Sequence, residues 1–154
     1  MVYVDGTEQS VTAAQYAICL ASSSGAELIA HYVVNTRAVE DLLKARIFLK
    51  DEQVEYEHDM EADAERYLNY IEELAAKKGV SIIKKRSRGN VHKEIIDSVE
   101  NDNVDLLVIG ELSRIRSRRD EFFDEAERAM RSVSCSVLIV KDEDRVWEMY
   151  ESLS

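Results

Sequence analysis

The stretch Val104-Asp105-Leu106-Leu107-Val108-Ile109-Gly110 decides the fold, together with the residues that continue it as far as Lys141. Its apolar run is typical of a strand buried on both faces, and the glycine ends it. A polar loop, a helix from about Asp120 and a second apolar strand, Val137–Val140, come next. Strand, loop, helix and strand form a βαβ unit, so we predict a parallel sheet covered by helices. Ligands of such sheets bind beyond the carboxyl ends of the strands, which here means the loop after Gly110.

Length, charge and hydropathy indicate the class of protein. A chain of 154 residues is expected to form one domain with a sizeable core. Its net charge of −11 argues against a general nucleic-acid binder and against attraction to an anionic membrane. No apolar run is long enough to span a bilayer, and the first residues lack a signal-peptide pattern. The two cysteines, Cys19 and Cys135, are typical of a reducing compartment, so we expect a cytoplasmic protein.

The first third of the chain alternates between strand and helix patterns. Val2–Val4 and Glu27–Val34 are apolar segments that predict strands. Between them lies a helix for which Ser10 is a candidate N-cap and Gly25 the C-terminal stop. Residues 35–50 carry apolar side chains whose spacing is compatible with a short helix.

The middle of the chain contains a long helix, a strand with a charged end and a second, capped helix. The long helix runs from Gln53 to Lys78 and has an apolar stripe at helical spacing: Val54, Met60, Ala64, Tyr67, Leu68, Ile71, Leu74 and Ala75. The strand Val80–Arg86 ends in charges that discourage unwanted pairing, so we place it at or near a sheet edge. Asn90 is expected to cap the next helix.

The sequence contains no motif that by itself specifies a reaction. The glycine patterns of dinucleotide sites and of P-loops are absent. His31 lies inside a strand and is expected in the core, whereas His58 lies on a charged helix face. Neither these histidines nor His92 stands at a metal-ligand spacing with the cysteines, and the serines lack a neighbouring base. We therefore predict no metal site and no catalytic residue, while a pair formed by distant residues stays open.

Segments at both ends of the chain resemble the universal stress protein family. Val2-Tyr3-Val4-Asp5-Gly6-Thr7 is similar to the short strand and Asp-Gly turn with which that family begins. The strand ending at Gly110, the run Ala126-Glu127-Arg128 and the segment Cys135–Val140 resemble the family's last βαβ unit. The resemblance covers nearly the whole chain. It implies an α/β, Rossmann-like fold: a doubly wound, five-stranded parallel sheet of order 3-2-1-4-5 with helices on both faces, as in adenine nucleotide alpha hydrolase-like proteins.

The same resemblance implies a domain boundary and a ligand cleft. Residues 1–141 would form the universal-stress-protein-like domain, and a helical tail, 142–154, would belong to the same unit. Nucleotide-binding members of the family hold ATP between the ends of the first and fourth strands. By position, Asp5 matches the acidic residue that meets adenine, and Tyr32 lies where the family lines the base pocket. Gly110 matches the first glycine of the phosphate motif.

The rest of the phosphate motif departs from the family pattern. Its second glycine is replaced by Ser113, and its final Gly-Ser or Gly-Thr pair by Phe123-Asp124. Motif glycines let backbone N–H groups approach phosphate, and Phe123 puts a bulky side chain in that approach. Asp124 adds a charge that repels phosphate. We therefore predict a degenerate motif that does not bind ATP in the family manner, and no cofactor.

A dense basic run lies beyond Gly110 in this acidic protein: Arg114, Arg116, Arg118 and Arg119. Arg86 and Arg88 are expected near the same face of the sheet. One interpretation is solvated loop charge paired with nearby acids, which contributes little per exposed pair. The other is a small-anion site in which guanidinium groups replace backbone amides. Both interpretations stay open.

The function that these features favour is a non-enzymatic, cytoplasmic binding or signalling module of the stress response. The alternatives are an ATP-binding universal stress protein with weak hydrolytic capacity, and a binder of anions or phosphorylated metabolites through the arginine loop. The family order makes Val137-Leu138-Ile139-Val140 an apolar edge strand, which is an aggregation hazard when left open. We therefore expect a homodimer through this strand, with contributions from Trp147 and Tyr150 in a tail whose apolar residues lie at helical spacing.

Overall fold

The computed structural model describes residues 1–46, 49–111 and 125–154, and the fold is described for these ranges. Their elements come in this order: β1 (Val2–Val4), α1 (Glu8–Ser24), β2 (Leu28–Val34), α2 (Thr36–Lys44), α3 (Lys50–Ala76), β3 (Ile82–Arg88), α4 (Val91–Asn101), β4 (Leu106–Gly110), α5 (Glu125–Ser132), β5 (Ser136–Val140) and α6 (Glu143–Glu151). The strands form one sheet of order β3-β2-β1-β4-β5, and each neighbouring pair is parallel. The predicted sheet order is confirmed.

The short strand β1 lies at the centre of the sheet. Val2 aligns with Ala30 of β2 on one side and with Val108 of β4 on the other. The Val108 N–H donates to the Met1 carbonyl at 2.8 Å, which extends this pairing. Because all strands run in one direction, the carboxyl ends of β1, β2 and β4 meet at the same edge of the sheet.

Apolar side chains cover both faces of the sheet. One face carries Val2, Val4 and Val108 and is packed against α1, α3 and α6. The other face carries Leu107 and Ile109 and is packed against α4 and α5. Burial on both faces accounts for the continuous apolar runs of β2 and β4, since neither strand has a solvent side.

The first helix begins three residues earlier than the sequence suggested. Its N-cap is Thr7, whose Oγ1 accepts a hydrogen bond from the Ser10 N–H at 3.2 Å. Ser10 lies inside the helix, and its hydroxyl donates to the Thr7 carbonyl at 2.9 Å. The prediction of Ser10 as N-cap was wrong because two hydroxyl residues compete there, and the turn after Asp5 puts Thr7 in the extended conformation that an N-cap needs. Gly25 ends the helix at φ +70°, as predicted.

The third strand starts later and runs further than predicted. The Val80 N–H donates to the Ala75 carbonyl at 2.9 Å, so Val80 still belongs to the turn that ends α3. The strand then pairs with β2 over seven residues, from Ile82 to Arg88. Within the described part of the chain β3 pairs with β2 alone, which confirms its predicted place at a sheet edge.

The long helix α3 is buried over its second half only. The residues that it buries are Ala64, Leu68, Ile71, Leu74 and Ala75. Val54, which the apolar stripe included, is 69% exposed. A helix of 27 residues is about 40 Å long and a strand of seven about 23 Å, so the first turns of α3 extend past the sheet. No helix in the three described ranges is long and apolar enough to cross a membrane.

The tail helix α6 packs on its own subunit. Val146 and Tyr150 are buried in the core that α1 and α3 form. The Tyr150 hydroxyl donates to the Leu74 carbonyl at 2.7 Å. The Lys78 ammonium lies 4.8 Å from the centroid of the Tyr150 ring and donates to the Leu153 carbonyl at 3.0 Å. Trp147 is half exposed on the outer side of this helix.

Candidate functional site

The turn after β1 holds the first candidate residue, Asp5. Its Oδ1 accepts hydrogen bonds from the Thr7 N–H at 3.0 Å and from the Thr7 hydroxyl at 2.6 Å. The Asp5 N–H in turn donates to the Ser10 hydroxyl at 3.3 Å. A short polar side chain that accepts from the backbone two residues on is a common turn device. One carboxylate oxygen of Asp5 therefore organises the turn, although the residue itself is exposed.

An aromatic ring from α3 lies against this turn. Gly6 has φ +83°, and a Cβ atom there would lie 2.7 Å from Cε2 of Tyr67. The Tyr67 ring is nearly parallel to that of Tyr32 on β2, with an interplanar angle of 10° and centroids 6.4 Å apart. Glycine at this position thus supplies both the left-handed backbone and the space for the ring. The two tyrosines form a stacked pair next to the turn that holds Asp5.

The surroundings of Tyr32 keep its phenol protonated. Burial is the largest effect that raises its pKa above the usual value of 10, and the carboxylates of Asp63 and Asp5 raise it further. The Arg66 guanidinium lies 5.2 Å from the centroid of the Tyr67 ring and pairs with Asp63 at 2.9 Å. The side of the predicted cleft where the base would bind is therefore formed by Tyr32 and Tyr67, with the Arg66–Asp63 ion pair next to them.

Gly110, at the end of β4, has a packing role that does not involve a ligand. A Cβ atom at this position would lie 2.4 Å from the backbone oxygen of Gln9 and 2.6 Å from its carbonyl carbon. The first turn of α1 thus approaches the end of β4 so closely that only glycine fits. This contact is a sufficient reason for glycine at position 110, so the match to the family's first motif glycine does not by itself indicate a ligand.

The remaining predicted site residues lie outside the described residues. These are Ser113, Phe123, Asp124 and the basic run of Arg114, Arg116, Arg118 and Arg119. The predictions made for them stay predictions.

The two arginines at the end of β3 are paired with carboxylates of α3. Arg86 Nε lies 3.1 Å from Glu61, and Arg88 contacts Glu61 at 3.2 Å and Glu57 at 3.3 Å. Both guanidinium groups are about half exposed, so each pair contributes little to stability. Their charges are nevertheless partly neutralised, which weakens the interpretation of Arg86 and Arg88 as partners in an anion site.

Two serine–histidine contacts join residues that are distant in sequence. His31 Nε2 lies 2.7 Å from the Ser87 hydroxyl. His31 is fully buried, and burial, with the nearby Lys85 ammonium, lowers its pKa from 6.5 to about 4. Its Nδ1 has no hydrogen-bond partner in the described part of the structure, so no third group orients the ring. The prediction that His31 is a core residue is confirmed, and the pair lacks the features of a nucleophile and its base.

The second contact, between His92 Nε2 and the Ser132 hydroxyl at 3.2 Å, joins α4 to α5. The Ser132 hydroxyl already donates to the Arg128 carbonyl at 2.8 Å, so its proton is not directed to the histidine. Among residues 1–46, 49–111 and 125–154 no group of three or more His, Cys, Asp or Glu side chains could hold a metal ion. Cys135 is half-buried.

Sequence reasoning missed the role of Tyr67 at the site. Its spacing placed it among the buried residues of the long helix, and the structure shows that its ring reaches the turn after β1. The residues in contact, Gly6 and Tyr67, are far apart in the chain, so no local pattern connects them. The one signal in the sequence was the Asp-Gly turn itself, since glycine is favoured in tight turns and where another group approaches the backbone closely.

The strand order, the Asp-Gly turn after β1 and the glycine that ends β4 agree with one protein family. The model of the universal stress protein family matches residues 1–141. The chain belongs to the universal stress protein family. The family domain thus covers everything up to the end of β5, and α6 lies beyond it.

One curated protein and several solved structures are similar to this chain. A universal stress protein of Methanocaldococcus jannaschii is 28% identical over 141 residues, covering 92% of this chain and 80% of that protein. Among solved structures, universal stress protein UspA of Lactobacillus plantarum superposes with a TM-score of 0.69 at 19% identity, covering 91% of this chain and 96% of that one. A universal stress protein in complex with cAMP superposes with a TM-score of 0.67 at 19% identity, covering 91% and 94% of the two chains. At these identities the structural matches show the fold.

Proposed function

We propose that this universal stress protein is a non-enzymatic binding and signalling module of the stress response, dimeric and cytoplasmic, that does not bind ATP in the manner of the family's nucleotide-binding members. The observation that carries this proposal is the position of the Tyr67 ring, 2.7 Å from where a Cβ atom of Gly6 would lie. That ring, stacked on Tyr32, takes up space beside Asp5 where the resemblance would put the base.

Two further features support the same proposal. One oxygen of the Asp5 carboxylate accepts two hydrogen bonds from Thr7, so a base would compete with the turn for it. On the phosphate side, Phe123 and Asp124 stand where the family motif has Gly and Ser or Thr, which removes backbone access and adds a repelling charge. Gly110 does not weigh against the proposal, because its contact with Gln9 requires glycine without a ligand.

Calorimetric titration with Mg-ATP tests this part of the proposal. We expect no saturable heat with the unchanged protein, and a measurable affinity when both sides are opened by Tyr67→Ala with Phe123→Gly and Asp124→Ser. Tyr70→Ala is the matched control, because Tyr70 is an exposed tyrosine on the same helix. Micromolar affinity of the unchanged protein would contradict the proposal. Release of phosphate from Mg-ATP, measured on the same samples, would favour the alternative of weak hydrolysis.

Binding of a smaller nucleotide is the second candidate function. One structural neighbour is a universal stress protein in complex with cAMP. A cyclic monophosphate presents one phosphate group, so it depends less on the glycines that this chain lacks. The test adds cAMP to the titrations above: saturable binding of cAMP by the unchanged protein, under conditions where Mg-ATP gives none, would favour this function. The anion-binding alternative now depends on Arg114, Arg116, Arg118 and Arg119, since Arg86 and Arg88 are paired with α3.

The dimer in this proposal forms through β5, at the edge of the sheet opposite β3. Ile139 is 36% exposed on β5, and this strand carries no charged residue from Ser136 to Val140. Antiparallel pairing of two copies of β5 would satisfy its free backbone groups and cover the apolar side chains. Trp147, 50% exposed on α6, is a further apolar side chain available to the interface.

Analytical ultracentrifugation at tens of micromolar protein tests the dimer. Ile139→Lys places a charge on the proposed interface and is expected to give a monomer. Ile83→Lys is the matched control, because Ile83 is 48% exposed on β3 at the opposite edge, and it should leave the dimer intact. A monomeric unchanged protein would refute the dimer. A dimer that resists Ile139→Lys but yields to Trp147→Ala would move the interface to α6.

A further inference from the structure

A cavity of about 290 Å³ lies at the amino-terminal edge of the sheet, opposite the strand ends where the family cleft was sought. Its walls come from the last turns of α1, the starts of β2 and β4, and the loops that lead into these strands. Three wall residues are alanines, Ala17, Ala21 and Ala26, and their small side chains leave the space open. Leu28 and Leu106 supply apolar surface from the sheet.

The mouth of this cavity is electronegative. The carboxylates of Glu27, Asp102 and Asp105 line it, and all three residues are exposed. Two helices, α1 and α4, end beside it, and neither has a basic residue in its last turn. Helix carboxyl ends carry a partial negative charge, which adds to that of the carboxylates. The electrostatic potential there favours a cation.

The positive groups nearby are already engaged. Lys85 Nζ lies 2.6 Å from Asp102 Oδ2, and the charge of Asp105 acts on the Met1 amino group, so Glu27 is the lining carboxylate with no positive partner in the described part of the structure. The Met1 amino group, which also lines the cavity, donates to the Leu106 carbonyl at 2.8 Å. Burial lowers the pKa of this amino group, so its charge opposes a cationic ligand less than an exposed ammonium would.

We propose that this cavity binds a small amphiphilic organic cation, an amine whose apolar body lies between Ala17, Ala21 and Leu106 and whose ammonium group faces Glu27 and Asp105. The volume lies just below the roughly 300 Å³ at which pockets for drug-sized ligands begin, so it suits a smaller ligand such as a six-carbon amine. Binding energy per atom for such ligands predicts a dissociation constant on the order of 1 mM for a six-carbon amine. The site is separate from the strand-end cleft and independent of the function proposed for it.

Titration of the isotope-labelled, full-length protein with hexylammonium, monitored by amide chemical shifts, tests the proposal. We expect saturable shifts confined to the cavity, at residues 20–29 and 102–108. Hexanol, the neutral analogue, should bind more weakly, and hexanoate should not bind, because its charge is repelled. The proposal would be overturned if the amide shifts caused by hexylammonium did not saturate or mapped to other residues. Equal binding of hexanoate would also overturn it.

Variants test the contribution of the carboxylates and that of the cavity volume separately. Glu27→Gln with Asp105→Asn should weaken hexylammonium binding roughly three- to tenfold, while hexanol binding stays unchanged. Glu40→Gln with Asp41→Asn, at exposed positions on α2, is the matched control and should have no effect. Ala21→Leu should fill the cavity and abolish binding of both ligands. Ala26→Leu, at an exposed position of the mouth, gives the same test where Ala21→Leu fails to fold. Full affinity in a folded Ala26→Leu protein would refute the assigned cavity.

Discussion

At the carboxyl ends of the strands the Tyr67 ring lies against Gly6 and the backbone of Gln9 against Gly110, whereas at the amino ends three alanines leave a cavity of about 290 Å³. Both ends belong to one parallel sheet flanked by the same helices. Among the described residues, an aromatic ring and a backbone segment approach the carboxyl ends closely, whereas small side chains leave space at the amino ends. The family resemblance directs attention to the carboxyl ends of the strands, and the cavity directs it to the amino ends.

Substituting Gly110 should give the largest effect and shows how tightly the carboxyl end is filled. Gly110→Ala puts a Cβ atom 2.4 Å from a backbone oxygen, which cannot rotate away. We expect a loss of about 3 kcal/mol in the free energy of unfolding, measured by urea denaturation. Gly79→Ala, at a position with φ +71° and nothing within 4 Å, should cost about 1 kcal/mol. Equal losses would mean that the carboxyl end adjusts as readily as open surface.

His31 lies in the middle of β2, between the two ends of the sheet. Its titration predicts how stability at this position depends on pH. Its folded pKa of about 4 is below the usual 6.5, so the unfolded chain binds more protons between these values. Its contribution to stability is therefore complete above pH 6.5 and is lost as the pH falls towards 4. Between pH 7 and pH 5 we expect a loss of about 2 kcal/mol.

His31→Gln is the control for this titration, because it removes the titrating group and keeps a polar side chain. Urea denaturation of both proteins at the two pH values isolates the histidine from the carboxylates, which also titrate in this range. An identical pH dependence of the two proteins would show that His31 is as easily protonated in the fold as in the unfolded chain.

Two left-handed glycines, Gly6 and Gly25, lie at opposite ends of the sheet and allow a direct comparison. Gly6→Ala meets strain from φ +83° and a collision with Tyr67, whereas Gly25→Ala, at φ +70°, meets open space. We expect the first to cost about 1 kcal/mol more in thermal or urea denaturation than the second. Repeating Gly6→Ala in a Tyr67→Ala background should remove most of that difference, because the colliding ring is gone. A difference that persists would come from the backbone and not from the ring.

The smallest expected effect is the coupling between the two stacked tyrosines. A double-mutant cycle with Tyr32→Ala and Tyr67→Ala should give a coupling energy of about 0.5–1 kcal/mol, as is usual for aromatic pairs. The control cycle pairs Tyr32→Ala with Tyr70→Ala on the same helix and should give a value near zero. Coupling in both cycles would indicate a general change in α3 instead of a contact at the carboxyl end.

Most of the fold could be predicted from the pattern of apolar residues. The continuous apolar runs of β2 and β4 predicted strands buried on both faces, and such burial occurs in parallel sheets. The charged end of β3 predicted a sheet edge, which the structure confirms. Boundaries were less accurate because hydrogen bonds at helix ends decide them. Thr7 displaced Ser10 as the N-cap of α1, and the Val80 amide belongs to the end of α3 and not to a strand.

The candidate site was only partly predictable. The sequence indicated that Asp5 and Gly110 end neighbouring strands, and the structure places both at one edge of the sheet. The sequence did not indicate that Tyr67 reaches Gly6. Helical spacing predicts which face of a helix a residue lies on, but not which distant residue its side chain contacts. The cavity could not be predicted either. Ala17 and Ala21 are common helix residues, and only the structure shows that the neighbouring elements leave space beside them.

The anchoring of α6 has a consequence for experiments on shortened chains. The family match ends at residue 141, yet Val146 and Tyr150 lie in the same core as α1 and α3. A fragment cut at the family boundary would leave the Leu74 carbonyl without its phenol donor and would expose the apolar surface that α6 covers. Such a fragment would self-associate through that new surface, so its sedimentation would not report on β5. The family match therefore ends before the last helix that contributes side chains to this core.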